Sequence, residues 1–373
     1  MIIEMRQSKL RTYRLLILFL LVSWAGTLWG QVRETRVDQT FNVNSNTRLS
    51  IENRFGKVHI DTWNQNRIQA MVVVEVEGNE STARQVLDRI SIDVSESGSQ
   101  VSIETDIAES NSNKWNNTRF KIDYTISMPK GNPLSIEHRH GDIYIDNFDG
   151  PLDVDLAHGQ IITEELNGKS QISLQHGNGG RIAAIASGSL EIQHYQNLRI
   201  GRLGNLEFEI AHASAEIEEA GDLEMEIMHS NLEFSSIGDL NLEIQHSKLE
   251  AGSIASLTSD MQHSTLQIER LGRVLNVECQ HSQVEVDRMA ANFNEIIFDG
   301  NHSYLSVELD AGANGSIEVD LNHGRLNYSE SRVSMSYVNV ENNSRHYKGK
   351  IGNGTGGKIE IDGNFSDVSL EIN

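Results

Sequence analysis

Apolar and polar side chains alternate along most of this chain in short runs, and Asn, Ser, Gly or Asp breaks each run. The stretch Leu240-Asn-Leu-Glu-Ile-Gln shows the pattern, with every second side chain suited to burial. A period of two, punctuated by turn residues, predicts many short strands. Helical spacing appears where Ala83, Val86, Leu87 and Ile90 fall on one face, and it predicts a single helix near 81–90.

The runs themselves repeat, and histidine marks the period. His140, His158, His176, His194 and His212 follow one another at intervals of 18 residues. His229, His246 and His263 come at 17, His281 at 18, and His302 and His323 at 21. Eleven of the 14 histidines belong to this one series. Four residues before each stands an apolar side chain, from Ile136 and Val154 through to Val319, with Ser259 the exception. Two before stands another, from Leu156 to Leu321, with His138 and Gly300 departing. Both positions share one face of a strand, so that face points inward. The residue after the histidine is nearly always Gly, Ser or Ala, which suits a corner, and apolar residues then resume at Ile143, Ile161, Leu232 and their equivalents.

Each unit is thus two short strands and two turns, and it cannot stand alone. Burying about five apolar side chains yields roughly 8–15 kcal/mol, whereas ordering some 17 residues costs roughly 17–34 kcal/mol in backbone entropy. Copies above and below must share backbone hydrogen bonds and apolar contact, which is the logic of a solenoid. The expected fold is all-β: a single-chain β-solenoid, or β-helix, of 17–21-residue two-strand rungs, with an N-terminal β-rich cap containing one short helix. The expected organisation is a signal peptide at 1–30, the cap at 31–135, the repeats at 136–330 and closing strands at 331–373. Equivalent residues of a stack lie about 4.8 Å apart, so the eleven histidines would form a column roughly 50 Å long.

The first thirty residues carry Arg6, Lys9, Arg11 and Arg14, then an apolar run from Leu15 to Val22, then small residues up to Gly30. That order reads as a secretion signal, and its apolar core is short for a membrane span. No cysteine lies near the cleavage region, which argues against a lipoprotein. The remaining chain would carry 27 Lys and Arg against 52 Asp and Glu, a formal charge of −25. So acidic a surface repels nucleic acid and anionic lipid, and favours cations, basic partners or plain solubility. Cys279 is the single cysteine, so burial and backbone pairing must hold the fold without an internal disulfide.

In order and spacing, the chain resembles a family of bacterial exported β-helix repeat proteins labelled putative adhesins, a domain of unknown function. The resemblance spans nearly all of 45–373 and rests on four features. They are Leu49-Ser-Ile-Glu-Asn-Arg-Phe-Gly-Lys-Val-His-Ile, Tyr124-Thr-Ile-Ser-Met-Pro-Lys, the repeated His-Ser/Gly corner, and Tyr347-Lys-Gly-Lys-Ile-Gly. It implies a non-catalytic envelope or surface protein and carries over no catalytic residue. The chain departs from the family in placing histidine at the corner so regularly.

Three features could carry chemistry. The histidine column could bind zinc, copper or nickel, or its rings could fill a corner and stack as ladders do in layered strands; the alternation places them inward or at a corner and favours stacking. Two imidazolium charges at that spacing repel by roughly 3.5 kcal/mol at an effective dielectric near 20, so a fully charged column is excluded and stability is expected to fall below about pH 6.5. A second column stands three residues before each histidine: Glu137, Asp155, Glu191, Glu209, Glu226, Glu243, Asp260, Glu278, Asp299 and Asp320, with Ser173 interrupting. It could hold a divalent cation such as calcium, though a solvated, aggregation-resistant face is the plainer expectation. Third, His138 and His140 with Glu137 and Asp142 form a weak metal-like cluster. No nucleophile elbow, zinc-protease helix or phosphate loop is present. Lys and Arg keep no repeated position, which argues against a polysaccharide lyase. The expected function is adhesin-like binding or scaffolding, without an obligate cofactor, for an envelope protein or glycan in the periplasm or at the cell surface. A periplasmic divalent-metal-binding protein is the alternative.

Overall fold

The computed structural model describes residues 31–108 and 118–372, so the signal segment expected at 1–30 lies outside the described residues. Among the described residues there are 27 strands and one helix, and the strands join in one continuous sheet that coils on itself. The result is a β-solenoid of about ten turns.

The register shows how the alternating pattern builds it. Strand β8 (Leu134–Arg139) pairs in parallel with β10 (Leu152–Ala157), so Leu134 meets Leu152 and Ile136 meets Val154. Beyond the corner, β9 (Ile143–Ile145) pairs with the start of β11 (Ile161–Gln175). Strands β12–β19 continue the climb through 181–289 in the same parallel register. Each coil adds a further inward side chain on its way back, and Leu166, Ile185, Leu203, Ile237, Ile254, Leu271 and Met289 bury there. These inward columns together fill one continuous apolar core, the arrangement in which each coil is completed by its neighbours.

The stack begins earlier than the expected boundary at 136. Strands β2 (Arg48–Asn53) and β3 (Val58–Trp63) form a coil in register with β8 and β9, so Ile51 meets Ile136 and Ile60 meets Ile145. Only the rest of the N-terminal region caps it. β1 (Gln31–Asn42), β4 (Arg67–Glu77) and β7 (Arg119–Pro129) close the side of β3. β5 (Ile90–Ser97) and β6 (Gln100–Ile107) close the side of β2. The helix α1 (Glu80–Leu87) opens on Asn79, whose side chain accepts the Thr82 N–H, and it buries Ala83, Val86 and Leu87.

The other end is threaded out of sequence order. β20 (Glu295–Asn301) and β21 (Tyr304–Leu309) complete the coil of His302. β22 (Gly315–Asn322) and β23 (Leu326–Tyr328) carry His323, and the hairpin of β24 (Val333–Glu341) and β25 (Ser344–Ile351) lies antiparallel against β22. The last two strands, β26 (Gly357–Asn364) and β27 (Asp367–Ile372), then slide between the coils of His302 and His323, with β26 pairing β20 on one side and β22 on the other. The expected closing strands at 331–373 are thus of two kinds: a hairpin that covers the end, and a true inner coil.

Candidate functional site

The histidine series lies on the corner between the two strands of each coil, and its backbone explains the corner. All eleven histidines have φ between 49° and 61°, the left-handed region that costs an ordinary L-residue about 1–2 kcal/mol and in which His, Asn and Asp are several-fold enriched. The ladder of backbone hydrogen bonds continues through them: the N–H of His229 donates to Gln245 O at 3.0 Å, and that of His246 to Gln262 O at 2.9 Å. The left-handed residue resets the alternation, so the side chain that turns inward is the next one.

In the central coils that next residue is serine, and it forms a buried ladder the sequence pattern disguised as a mere turn. The Ser264 hydroxyl donates to Gln262 O at 2.7 Å across the histidine and accepts the Ser247 N–H at 3.2 Å. Ser230, Ser247, Ser282, Ser303 and Ser366 repeat the bond to the carbonyl two residues back. One coil replaces serine by Tyr195, whose ring occupies the space above Gly177, where any Cβ would collide with it, and whose hydroxyl donates to Gly159 O at 3.0 Å.

The imidazoles stand outside this ladder, exposed, as one file. From His140 to His302 successive ring centroids are 4.8–5.1 Å apart, and eight of the nine pairs lie within 14° of parallel. Phe55 stacks beneath His140 at 5.3 Å, while Phe365, also at positive φ, sits between His302 and His323 at 4.8 and 4.6 Å. The expectation of eleven consecutive histidines therefore needs correction: ten run in series, and His323 is reached through Phe365 because β26 and β27 intervene. Of the expected inward or corner positions the corner is the one observed, and there the left-handed backbone swings each ring to the surface. Water then screens the rings, and the repulsion between neighbouring imidazolium charges falls towards about 1 kcal/mol.

This geometry bears on metal binding. Stacked rings direct their in-plane nitrogen lone pairs side by side, not to a common point. Two nitrogens on one zinc ion at about 2.0–2.1 Å each cannot be more than about 4.2 Å apart, less than the observed ring spacing. Among the described residues, protein hydrogen bonds engage the file's ring nitrogens at its C-terminal end, where His302 Nδ1 donates to Asn301 Oδ1 at 2.8 Å and the Asn343 side-chain amide donates to His323 Nε2 at 2.8 Å.

Along the file, one residue earlier, run two stretches of amides in register, Gln175 with Gln193, and Gln245, Gln262, Gln280 and Asn301, with Ala211 and Met228 between them. Two residues further back stands the acidic column. Glu137, Asp155, Glu191, Glu209, Glu226, Glu243, Asp260, Glu278, Asp299 and Asp320 all face outward, exposed or half-buried, with Ser173 interrupting. Glu52 precedes them and Asp362 intervenes before Asp320. Burial and the neighbouring carboxylates raise the pKa of Glu52 (beside Glu104 and Glu137), of Asp155 (beside Glu137), and of Asp362 (between Asp299 and Asp320). On the face beyond the histidines, a shallow groove of 570 Å³ is walled by Glu233, Glu250, Glu269, Glu285 and Asp287.

The cluster expected from His138, His140, Glu137 and Asp142 does not assemble. His138 is fully buried at the joint of cap and stack, its Nδ1 3.2 Å from Asn53 O and its Nε2 3.1 Å from Gly56 O. Glu137 pairs with Arg139 at 3.1 Å, and Asp142 accepts the Gln160 N–H and the Tyr144 hydroxyl. His140 belongs to the file. The alternation of His138 and His140 fails because the left-handed residue breaks it. Around His138, sequence reading missed a buried polar knot: Thr105 Oγ1 lies 2.7 Å from the Tyr124 hydroxyl and donates to Asn53 Oδ1 at 3.1 Å, and Asn53 donates to Ile122 O. Burial lowers the pKa of His138 against the pull of its two carbonyl partners, and burial and His158 lower that of His140.

No family model matches the chain, and no curated protein matches it. It is similar to several solved structures. One, described as a "putative cell adhesion protein" from Clostridium sporogenes, is 12% identical, with 92% of this chain and 99% of that chain covered and a TM-score of 0.20. A "putative adhesin" from Parabacteroides distasonis is 9% identical, covering 92% and 97%, with a TM-score of 0.27. A "putative lipid binding protein" from the same organism is 9% identical, covering 91% and 96%, with a TM-score of 0.19. The descriptions differ among themselves, and at such identities and TM-scores the likeness bears on neither ligand nor partner.

Proposed function

We propose that this chain is a non-catalytic, exported binding or scaffold protein of the cell envelope, in the manner of an adhesin. Its docking strip would be the exposed histidine file with its flanking amides. The observation that carries the reading is the file itself: ten imidazoles held at one spacing over about 44 Å on the surface of a rigid stack. Imidazole and amide edges donate and accept hydrogen bonds at a fixed repeat, which suits an extended, repetitive and uncharged partner, a neutral glycan or an extended segment of an envelope protein. The acidic faces on either side disfavour nucleic acid and other polyanions. Among the described residues, no helix is long and apolar enough to cross a membrane.

The test is co-sedimentation of the full chain with envelope fractions and purified neutral polysaccharides. The paired variant His229→Asn with His246→Asn keeps a residue type suited to the left-handed corner but removes two rings. Binding lost while the variant still melts cooperatively, only slightly below the wild type, supports the strip; unchanged binding removes it.

A further inference from the structure

A separate cluster lies on the first coil, away from the file. His59 and Asp61 occupy alternate positions of β3 and share its outer face, and Asp146 follows β9, the next coil's matching strand. The register that sets Ile60 beside Ile145 brings the two aspartates next to each other. One ligand atom from each of the three residues lies within 4.8 Å of the other two. His59 Nε2 is 3.1 Å from Asp61 Oδ1, and the Thr62 N–H donates to Asp146 Oδ2 at 3.4 Å. Tyr144 stacks on the His59 ring at 5.7 Å and 16°, which fixes its plane.

Charge sets this cluster apart. Two neighbouring aspartates repel, yet among the described residues neither has a Lys or Arg ion pair; the nearby Lys57 ammonium lies over the Tyr144 ring instead. The other group with convergent ligand atoms, Glu318, Asp320 and His346, already holds a cation, because Lys348 Nζ lies 2.8 Å from Glu318. We propose that His59, Asp61 and Asp146 bind one divalent transition ion of the zinc class, with water completing its coordination. One imidazole and two carboxylates are a donor set that zinc accepts at about 2.0–2.2 Å in tetrahedral geometry, whereas calcium asks for six to eight oxygens. Tetrahedral ligand atoms at those bond lengths sit about 3.3 Å apart. His59 and Asp61 are already that close, and Asp146 needs to approach by about 1.5 Å at most, which an exposed side chain can do. The ion would tie the first coil to the second beside the cap.

Calorimetric titration of the full chain with zinc, and the visible spectrum of the cobalt complex, test this directly. The expected result is one tight equivalent with a tetrahedral cobalt spectrum. Asp61→Asn, Asp146→Asn and His59→Gln should each weaken binding roughly tenfold or more, and His346→Gln should leave it unchanged. All of these side chains are at least partly exposed, so circular dichroism should find every variant folded. Absence of saturable zinc heat, or a first equivalent that survives Asp61→Asn and Asp146→Asn, would overturn the site. So would loss of that equivalent in His229→Asn with His246→Asn, because the ion would then belong to the file. Envelope binding is read in a different experiment, so either idea can fail without the other.

Discussion

A histidine at φ near +50° gives up about 1–2 kcal/mol of backbone comfort, and parallel stacking on its neighbours returns about 0.5–1.5 kcal/mol per pair. The two nearly offset, so the file makes the left-handed corner nearly free of cost for histidine. This sets an order for substitutions at His246, whose φ is 49°. His246→Asn should lower the melting temperature slightly, while the β-branched His246→Val should cost about 1–2 kcal/mol more, read from parallel thermal melts. The serine ladder is the stiffer device. Ser264→Ala removes the acceptor of the buried Ser247 N–H, and an orphaned buried donor costs about 1–3 kcal/mol. A melting curve unchanged by Ser264→Ala would show that the ladder adds nothing to stability.

At the scale of elements, the joint between the cap and the first coils governs the response to acid. The folded pKa of His138 lies below its unfolded value, so the unfolded chain takes up a proton first as pH falls. Stability tied to His138 is therefore intact above about pH 6.5 and declines below it. Asp142 opposes that shift and His140 reinforces it. The wild-type melting temperature should fall between pH 7.5 and 5.5, and His138→Leu should flatten that fall; an equal slope in the variant would place the proton uptake elsewhere. The raised carboxyls of Glu52, Asp155 and Asp362 act with the opposite sign, since their protonation favours the folded state, and only at lower pH. Much of this architecture was legible beforehand, because alternation and the histidine period report directly on inward faces and coil length. The left-handed corner was not, for period-two reasoning assumes extended backbone throughout and cannot see one residue that resets it. The knot of Asn53, Thr105, Tyr124 and His138 was hidden for another reason: its members are joined by register, 85 residues separating His138 from Asn53.

For the whole molecule, a net charge of −22 on a thin stack means that salt should stabilise it. The Debye length shrinks from about 30 Å at 0.01 M to about 10 Å at 0.1 M, and the melting temperature should rise across that range; a flat response would mean that the acidic rows do not strain the fold. Because Asn231 pairs with Lys248 in register, removing 231–247 deletes one whole coil and should leave a folded, shorter solenoid. Removing only 231–239 should abolish cooperative melting. The threading of β26 and β27 between earlier coils has a temporal corollary. A ribosome or translocon delivers the chain from its amino end, so coil settles upon coil only as far as His302. There the growing pile must wait with an open edge, since the layer that belongs next is encoded some sixty residues downstream and closes the structure like a keystone dropped in late.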